Sequence, residues 1–420
     1  MSEWTNQPLS KVARVIDSLH KTPTYQDDGF PMVRVTDIQG GYLDLDQTFK
    51  VSKETYEEFS KKHKPKSGDL VFSRVGTYGS VSFVKDNKTF CLGQNTVFIV
   101  PEINPYFLFY FLNSPYALHQ INSFATGSTQ KTISLASIKS IDVLTPPEEE
   151  QERIAAVLSC LDRKIENLRR QNETLEAIAQ TLFKHWFVDF EFPNADGKPY
   201  KSSGGEMVPS AIGEIPAGWR VGRLEEFCDI KHGYAFKGEF ITTEETDQIL
   251  LTPGNFRIGG GFNSSKYKYY SGEEYDKEYV LITGDLIVTM TDLSKEGDTL
   301  GYPAFVPRSS SKLFLHNQRI GKVIKSQINL HFLFFLLCRR EYRSHILGSA
   351  SGSTVRHTSP SRILEFEFAV PSKDTLNQFA SIARKLINKA FANQEHIQTL
   401  TKTRDVLLPK LMSGKLRITS

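Results

Sequence analysis

Residues 146–187 read PPEEEQERIAAVLSCLDRKIENLRRQNETLEAIAQTLFKHWF. Within them Ile154, Leu158, Leu161, Ile165, Leu168, Asn172, Leu175, Ala179, Leu182 and Trp186 alternate steps of four and three, the spacing of a heptad seam on one face of a helix. Thr145-Pro146-Pro147-Glu148 predicts the helix start, with a hydroxyl for the N-cap, proline in the first turn and Glu148, Glu149 and Glu150 at the positive end of the dipole. A helix lying on its own domain would show the same pattern, so the stretch alone does not name its partner.

The partner is written further along the chain. Residues 107–187 match 332–412 at a constant offset of 225, without insertion or deletion. Phe107-Leu108-Phe109 falls on Phe332-Leu333-Phe334, Ala125-Thr126-Gly127-Ser128-Thr129 on Ala350-Ser351-Gly352-Ser353-Thr354, and Pro146 on Pro371. Upstream, Trp4 and Leu9 fall on Trp219 and Leu224, and Gly68-Asp69-Leu70 on Gly284-Asp285-Leu286, with small drifts that mark loop insertions. The chain is a tandem duplication. The second seam runs through Phe379, Ala383, Leu386, Ala390, Asn393, Ile397, Leu400, Arg404, Leu407 and Leu411.

Two seams in one chain predict mutual antiparallel pairing. In the register where facing residue numbers sum to 565, Asn172 meets Asn393, Leu175 meets Ala390, Ala179 meets Leu386, Leu182 meets Ala383 and Trp186 meets Phe379. Large faces small in successive layers, and a buried Asn pair fixes register at a cost in stability. The weakest layer sets Leu161 against Arg404, and Pro409 is expected to end or bend the second helix near Leu407, which puts the layer of Ile154 and Leu411 in question. About 33 paired residues would form a rod roughly 50 Å long.

The predicted fold class is α+β: two homologous α+β domains in a pseudo-twofold arrangement, separated by two long helices forming an antiparallel coiled coil. Residues 1–145 mix short strand-like runs with one helical stretch at about 104–123 and form the first domain; 146–190 is the first long helix; 191–218, rich in Gly, Pro and Ser, reads as a linker; 219–370 is the second domain; 371–420 is the second helix and tail. A net charge of only +3 does not announce a nucleic-acid protein. The four cysteines, Cys91, Cys160, Cys228 and Cys338, lack metal or disulfide spacing and read as reduced, buried packing residues. The start carries no signal-like segment and no apolar run is long enough for a bilayer, so a cytoplasmic protein with no membrane partner is expected.

Pro146-Pro147-Glu148-Glu149-Glu150-Gln151-Glu152-Arg153-Ile154, continuing to Leu158, Asp162 and Ile165, resembles the central conserved region of a Type I restriction-modification specificity subunit. Gly213-Glu214-Ile215-Pro216-Ala217-Gly218-Trp219 resembles the segment leading into that family's second target-recognition domain, of which only Trp4 is kept ahead of Leu9 in the first half. Leu407-Leu408-Pro409-Lys410-Leu411-Met412-Ser413-Gly414 resembles the family's C-terminal ending. The resemblance covers essentially the whole chain. It implies recognition of double-stranded DNA with a bipartite site, one half per domain, and two helices that dock two methylase subunits and, in a full restriction complex, motor-nuclease subunits. It also implies that S-adenosylmethionine, Mg and ATP are bound only by those partner subunits and that this chain binds no cofactor.

Catalytic signatures are absent from the sequence. No Asn/Asp-Pro-Pro-aromatic loop holds a flipped adenine, Gly259-Gly260-Gly261-Phe262 lacks a strand-to-helix setting, and neither a phosphate-binding loop nor a Glu-x-Lys triplet occurs. Clusters with metal-ligand spacing are missing too, so neither a catalytic nor a metal site is expected.

Base reading needs Arg, Lys, Asn, Gln and hydroxyl side chains on loops held by a rigid core. Four loop pairs qualify. Ser128, Thr129, Gln130 and Lys131 follow one helix, and Ser353, Thr354, Arg356 and His357 follow its copy; a solvated turn would use the same residues. Arg74, Thr77 and Tyr78 correspond to Thr289 and Thr291, both after a Gly-Asp-Leu in which Gly-Asp is a turn. Gln94 and Asn95, like Asn317, Gln318 and Arg319, open a strand, where capping is the competing role. Lys231, Tyr234 and Lys237 form a basic-aromatic loop whose first-half counterpart lies near 18–25. Function is thus expected to be that of a non-catalytic specificity subunit. The alternatives are a specificity subunit of an orphan methyltransferase, a protein-binding scaffold, or an enzyme.

Overall fold

The computed structural model describes residues 4–127, 131–309, 311–352 and 355–418. They form two compact units, one from Met1–Asn167 with Ile397–Ser420 and one from Leu168–His396.

In the first unit Thr5–Pro8 pairs antiparallel with Asp142–Thr145, and a four-stranded sheet runs in the order Ala13–Asp17, Thr96–Pro101, Leu70–Ser73, Val81–Phe83. A second sheet orders Tyr25–Gln26, Phe49–Val51, Phe30–Val33 and Cys91–Leu92, the last pair parallel. The second unit repeats this plan: Arg220–Arg223 with Glu367–Val370, and a sheet in the order Asp229–His232, Ile320–Ile324, Leu286–Thr289, Pro303–Phe305. Its other sheet has five strands, with Gln248–Leu251 parallel to Leu313–His316. Both copies are therefore α+β. Both Gly-Asp pairs are turns, as expected: Asp69 accepts from the Lys66 N–H and Asp285 from the Ile282 N–H, each at 2.8 Å.

The single helix expected at 104–123 is two, Pro105–Leu112 and Pro115–Phe124. Ser114 accepts from the Ala117 N–H and Pro115 takes the first helical position, so the chain restarts there. The first of the two is apolar all round, and Phe107 through Leu112 are all buried.

The long helices span Glu148–Phe187 and Lys373–Met412. Thr145 does not cap the first; its hydroxyl donates to Val143 O, and the Gln151 N–H donates to Pro147 O. Within the second unit the helices run antiparallel in the expected register. Trp186 meets Phe379 with ring centroids 6.1 Å apart, and Asn172 meets Asn393. Within the first unit Arg404 reaches Asp162 at 2.8 Å, a charged partner that the seam reading, which set it against Leu161, passes over. Pro409 does not end the helix: it continues to Met412, and Leu411 is buried in one core with Ile154. A proline inside a helix costs about 3 kcal/mol, which burial of Leu411 and Met412 at about 1.5–3 kcal/mol each offsets.

Residues 191–218 are built into the second unit. Phe192 stacks between Tyr200 and Trp219, and Met207–Ser210 pairs with Gly213–Pro216 as a hairpin. All four cysteines are free, but only Cys91 is buried; Cys160 is exposed on the first long helix, which the packing expectation did not foresee.

Candidate nucleic-acid interface

The strand ends of each four-stranded sheet bring together loops far apart in sequence. In the first unit the Arg74 N–H donates to Asn95 O at 2.8 Å, and the Ile133 N–H donates to Arg74 O at 3.0 Å. Thr126 and Thr132 exchange N–H···O bonds of 2.9 and 2.8 Å, and Val75 bridges Thr132. Three of the four candidate loops thus share one backbone junction.

The second unit has the same wiring. The Met290 N–H donates to Arg319 O at 2.9 Å, and the Thr358 N–H donates to Met290 O at 3.0 Å. Ser351 and His357 exchange bonds of 3.0 and 2.9 Å, and Thr291–Asp292 pairs with Arg356–His357. Even the hydroxyl at the strand end repeats: Ser73 Oγ donates to Val75 O and Thr289 Oγ1 to Thr291 O.

One domain type used twice is also what comparison with known proteins finds. A model of the Type I restriction modification DNA specificity domain matches residues 1–177 and again 216–402. The chain belongs to this family. It is 27% identical over 376 residues to the Type I restriction enzyme MjaIX specificity subunit of Methanocaldococcus jannaschii, covering 88% of this chain and 82% of that protein. Identity to the HindI specificity subunit of Haemophilus influenzae is 24% over 401 residues, covering 84% and 87%. The fold is similar to the crystal structure of the S subunit from M. genitalium, with a TM-score of 0.59 at 15% identity over 97% of this chain and 96% of that one.

Within the two specificity domains the candidate side chains differ in what already holds them. Arg74 is engaged internally, donating to Asp17 Oδ1 at 3.0 Å and Ile133 O at 3.2 Å. Thr77 donates to Val35 O, Tyr78 to Asn122 Oδ1, and Gln94 to Thr22 Oγ1. Asn95 sits at φ 63°, a backbone region asparagine tolerates better than most residues, which explains its place at a turn. Lys131 is exposed with its ammonium 6.0 Å from the Tyr78 ring centre.

In the second domain Lys231 pairs with Glu278 at 2.7 Å over the Tyr279 ring, and Lys237 pairs with Glu274 at 3.8 Å. Tyr234 packs against Phe236 and Tyr279. The basic-aromatic loop thus carries charge that is already matched. Gln318 and Arg319 are exposed beside Asn317, whose Oδ1 accepts from the Arg319 N–H at 2.9 Å. Among the described residues Lys131 and Arg319 have no carboxylate in ion-pair range. Thr289 and Thr291 are buried, His357 Nδ1 shares a 3.2 Å bond with Thr291 Oγ1, and Arg356 Nε donates to Lys295 O at 3.1 Å. Ser128, Thr129, Gln130, Ser353 and Thr354 lie outside the described residues.

The candidate loop read from the sequence stopped at Asp292, and residues 293–299 were not among the candidates, although the copies differ in length there. Val84 N–H to Asp69 O in the first unit corresponds to Val306 N–H to Asp285 O in the second, so the offset grows from 216 to 222 across this turn. That shift is the signal that would have found the insertion. Asp292 organises it: burial pushes its carboxyl up, but bonds from Thr299 and Ser294 outweigh this and hold it below its ordinary value. Among the described residues no group of three His, Cys, Asp or Glu side chains is placed to hold a metal, and no helix is long and apolar enough to cross a membrane.

Proposed function

We propose that this chain is the non-catalytic specificity subunit of a Type I restriction-modification complex, each domain reading one segment of a bipartite duplex site. The observation that carries this is identical backbone wiring under different side chains. The junctions at Arg74 and Met290 match bond for bond, while Asn95 stands where the second copy has Arg319, and Lys131 where it has Arg356. A scaffold binding one protein through both halves would keep the side chains alike. Two different base sequences require them to differ.

Two methylase subunits dock on the long helices and supply S-adenosylmethionine chemistry to an adenine in each segment. Motor-nuclease subunits, where present, bring the Mg and ATP chemistry. The orphan-methyltransferase alternative shares every feature of this chain and differs only in lacking those subunits.

The test is to map methylated adenines in DNA modified by the complex, before and after replacing residues 219–370 with those of another family member. One half of the motif should change while the other half stays. A motif that changes in both halves, or protein with methylase that shows no sequence-selective binding, overturns the reading.

A further inference from the structure

A single exposed leucine needs no explanation on most surfaces. Leu293 is different because of what holds it. It is 67% exposed, yet it stands directly after Asp292, whose carboxylate accepts from the Ser294 N–H at 2.7 Å and from Thr299 Oγ1 at 2.6 Å, as well as from the Thr299 N–H. Ser294 Oγ accepts from the Asp298 N–H at 2.8 Å. From outside the loop, the Arg343 guanidinium holds the carbonyls of Gly297 and Leu300 and lies over the Tyr302 ring, while Arg356 holds Lys295 O. The entropy of ordering this loop is thus already spent in the free protein, which is what a reading element needs.

The surroundings say what it is ordered for. The loop extends from the strand pair Thr291–Asp292 with Arg356–His357, inside the junction that gathers the candidate reading loops, and exposed Lys295 follows two residues after Leu293. The tip is apolar, the carboxylate of Asp292 before it is taken up by bonds inside the loop, and the exposed carboxylates of Glu296 and Asp298 lie beyond Lys295. In a nucleic-acid groove the apolar feature on a base edge that such a tip meets is the thymine C5-methyl group.

Resting on the specificity-subunit reading above, we propose that Leu293 is an apolar base reader of the second domain, packing on a thymine methyl in the major groove of one half-site while Lys295 lies toward the phosphates. The first copy has only 75–78 at this turn, so it has no counterpart. The contact therefore belongs to one half-site.

The test uses the full chain assembled with its methylase subunits on duplexes carrying the mapped motif, with each thymine replaced in turn by uracil, which lacks only the methyl. Binding by the wild type should weaken about fourfold at one thymine, the worth of one buried methyl, and all such sensitivity attributable to this loop should lie in one half-site. L293A should bind the thymine and uracil duplexes alike at the weaker level, and L293M should keep the discrimination. Absence of any thymine where uracil matters, or discrimination that survives in L293A, overturns the assignment. If the wild type discriminates the bipartite site normally but ignores uracil, only Leu293 is wrong; if it shows no site selectivity, the specificity-subunit reading fails instead.

Discussion

Asn393 donates from Nδ2 to Asn172 Oδ1 at 2.9 Å, and Asn172 Nδ2 donates to Ala390 O at 3.2 Å. The pair sits in a seam whose other layers in the second unit, such as Trp186 on Phe379, are apolar, and Asn393 is wholly buried. Such a layer costs stability in the correct register and costs more in any other, because a slipped helix leaves each amide against a hydrocarbon.

Replacing Asn393 alone by Leu should therefore destabilise the chain by about 1–3 kcal/mol, since Asn172 loses its donor while remaining partly buried. The double variant N172L/N393L should recover most of that loss in thermal unfolding. A double-mutant cycle showing the two changes to be additive would mean the amides do not act as a pair.

Asp162 gathers a second polar layer, accepting from Arg404 Nη1 at 2.8 Å and Tyr110 OH at 2.6 Å. At the positions 225 residues away the other copy has Ile387, Ala179 and Phe335, apolar at every point. The triple variant Y110F/D162I/R404A should thus hold its stability within about 1.5 kcal/mol of wild type, as replacement of a polar cluster by packed apolar groups usually does. R404A alone should lose about 1–3 kcal/mol, reduced by the partial exposure of both side chains. Equal melting temperatures for R404A and the triple variant would refute this account.

Arg74 pins the first junction by bonding Asp17 and Ile133 O. R74A should weaken binding to one half-site several-fold while leaving the other unchanged, because the bonds it removes lie in the first unit alone. Competition between duplexes altered in one half at a time would show it, and a uniform loss across both halves would count against the local role.

His316 supplies a pH dependence. Burial pushes its pKa down to about 4 from an ordinary 6.5, against a partly opposing bond from Nε2 to Ile320 O at 2.9 Å. The folded state thus prefers the neutral ring. Its contribution is complete above about pH 6.5 and is lost as pH falls toward 4, with a slope of at most about 1.4 kcal/mol per pH unit. H316Q, which keeps a donor toward Ile320 O, should flatten the fall in unfolding free energy between pH 6.5 and 4. An unchanged slope would place the titration elsewhere.

Much of this was legible beforehand, and for definite reasons. Heptad spacing is a local property of one helix, and the duplication let two such helices be laid against each other, so Asn172 opposite Asn393 and Trp186 opposite Phe379 followed from numbers alone. The misreadings were of events that neighbours decide. Pro409 breaks a helix in isolation, but the burial of Leu411 carries the helix past it. Thr145 has the right side chain for a cap, but the helix begins at Glu148, so Pro147 stands at the cap position and Thr145 lies outside it.

The sequence by itself determined the repeat, the seams and the α+β class, because periodicity and self-similarity need no knowledge of distant contacts. Only the tertiary structure decided which loop residues are available. Arg74, Lys231 and Lys237 look like free cations in sequence and are held by Asp17, Glu278 and Glu274; Leu293, not among the sequence candidates, stands in solvent on a braced turn. Ion pairing and exposure depend on partners brought together by folding from up to tens of residues away, and no local pattern encodes them.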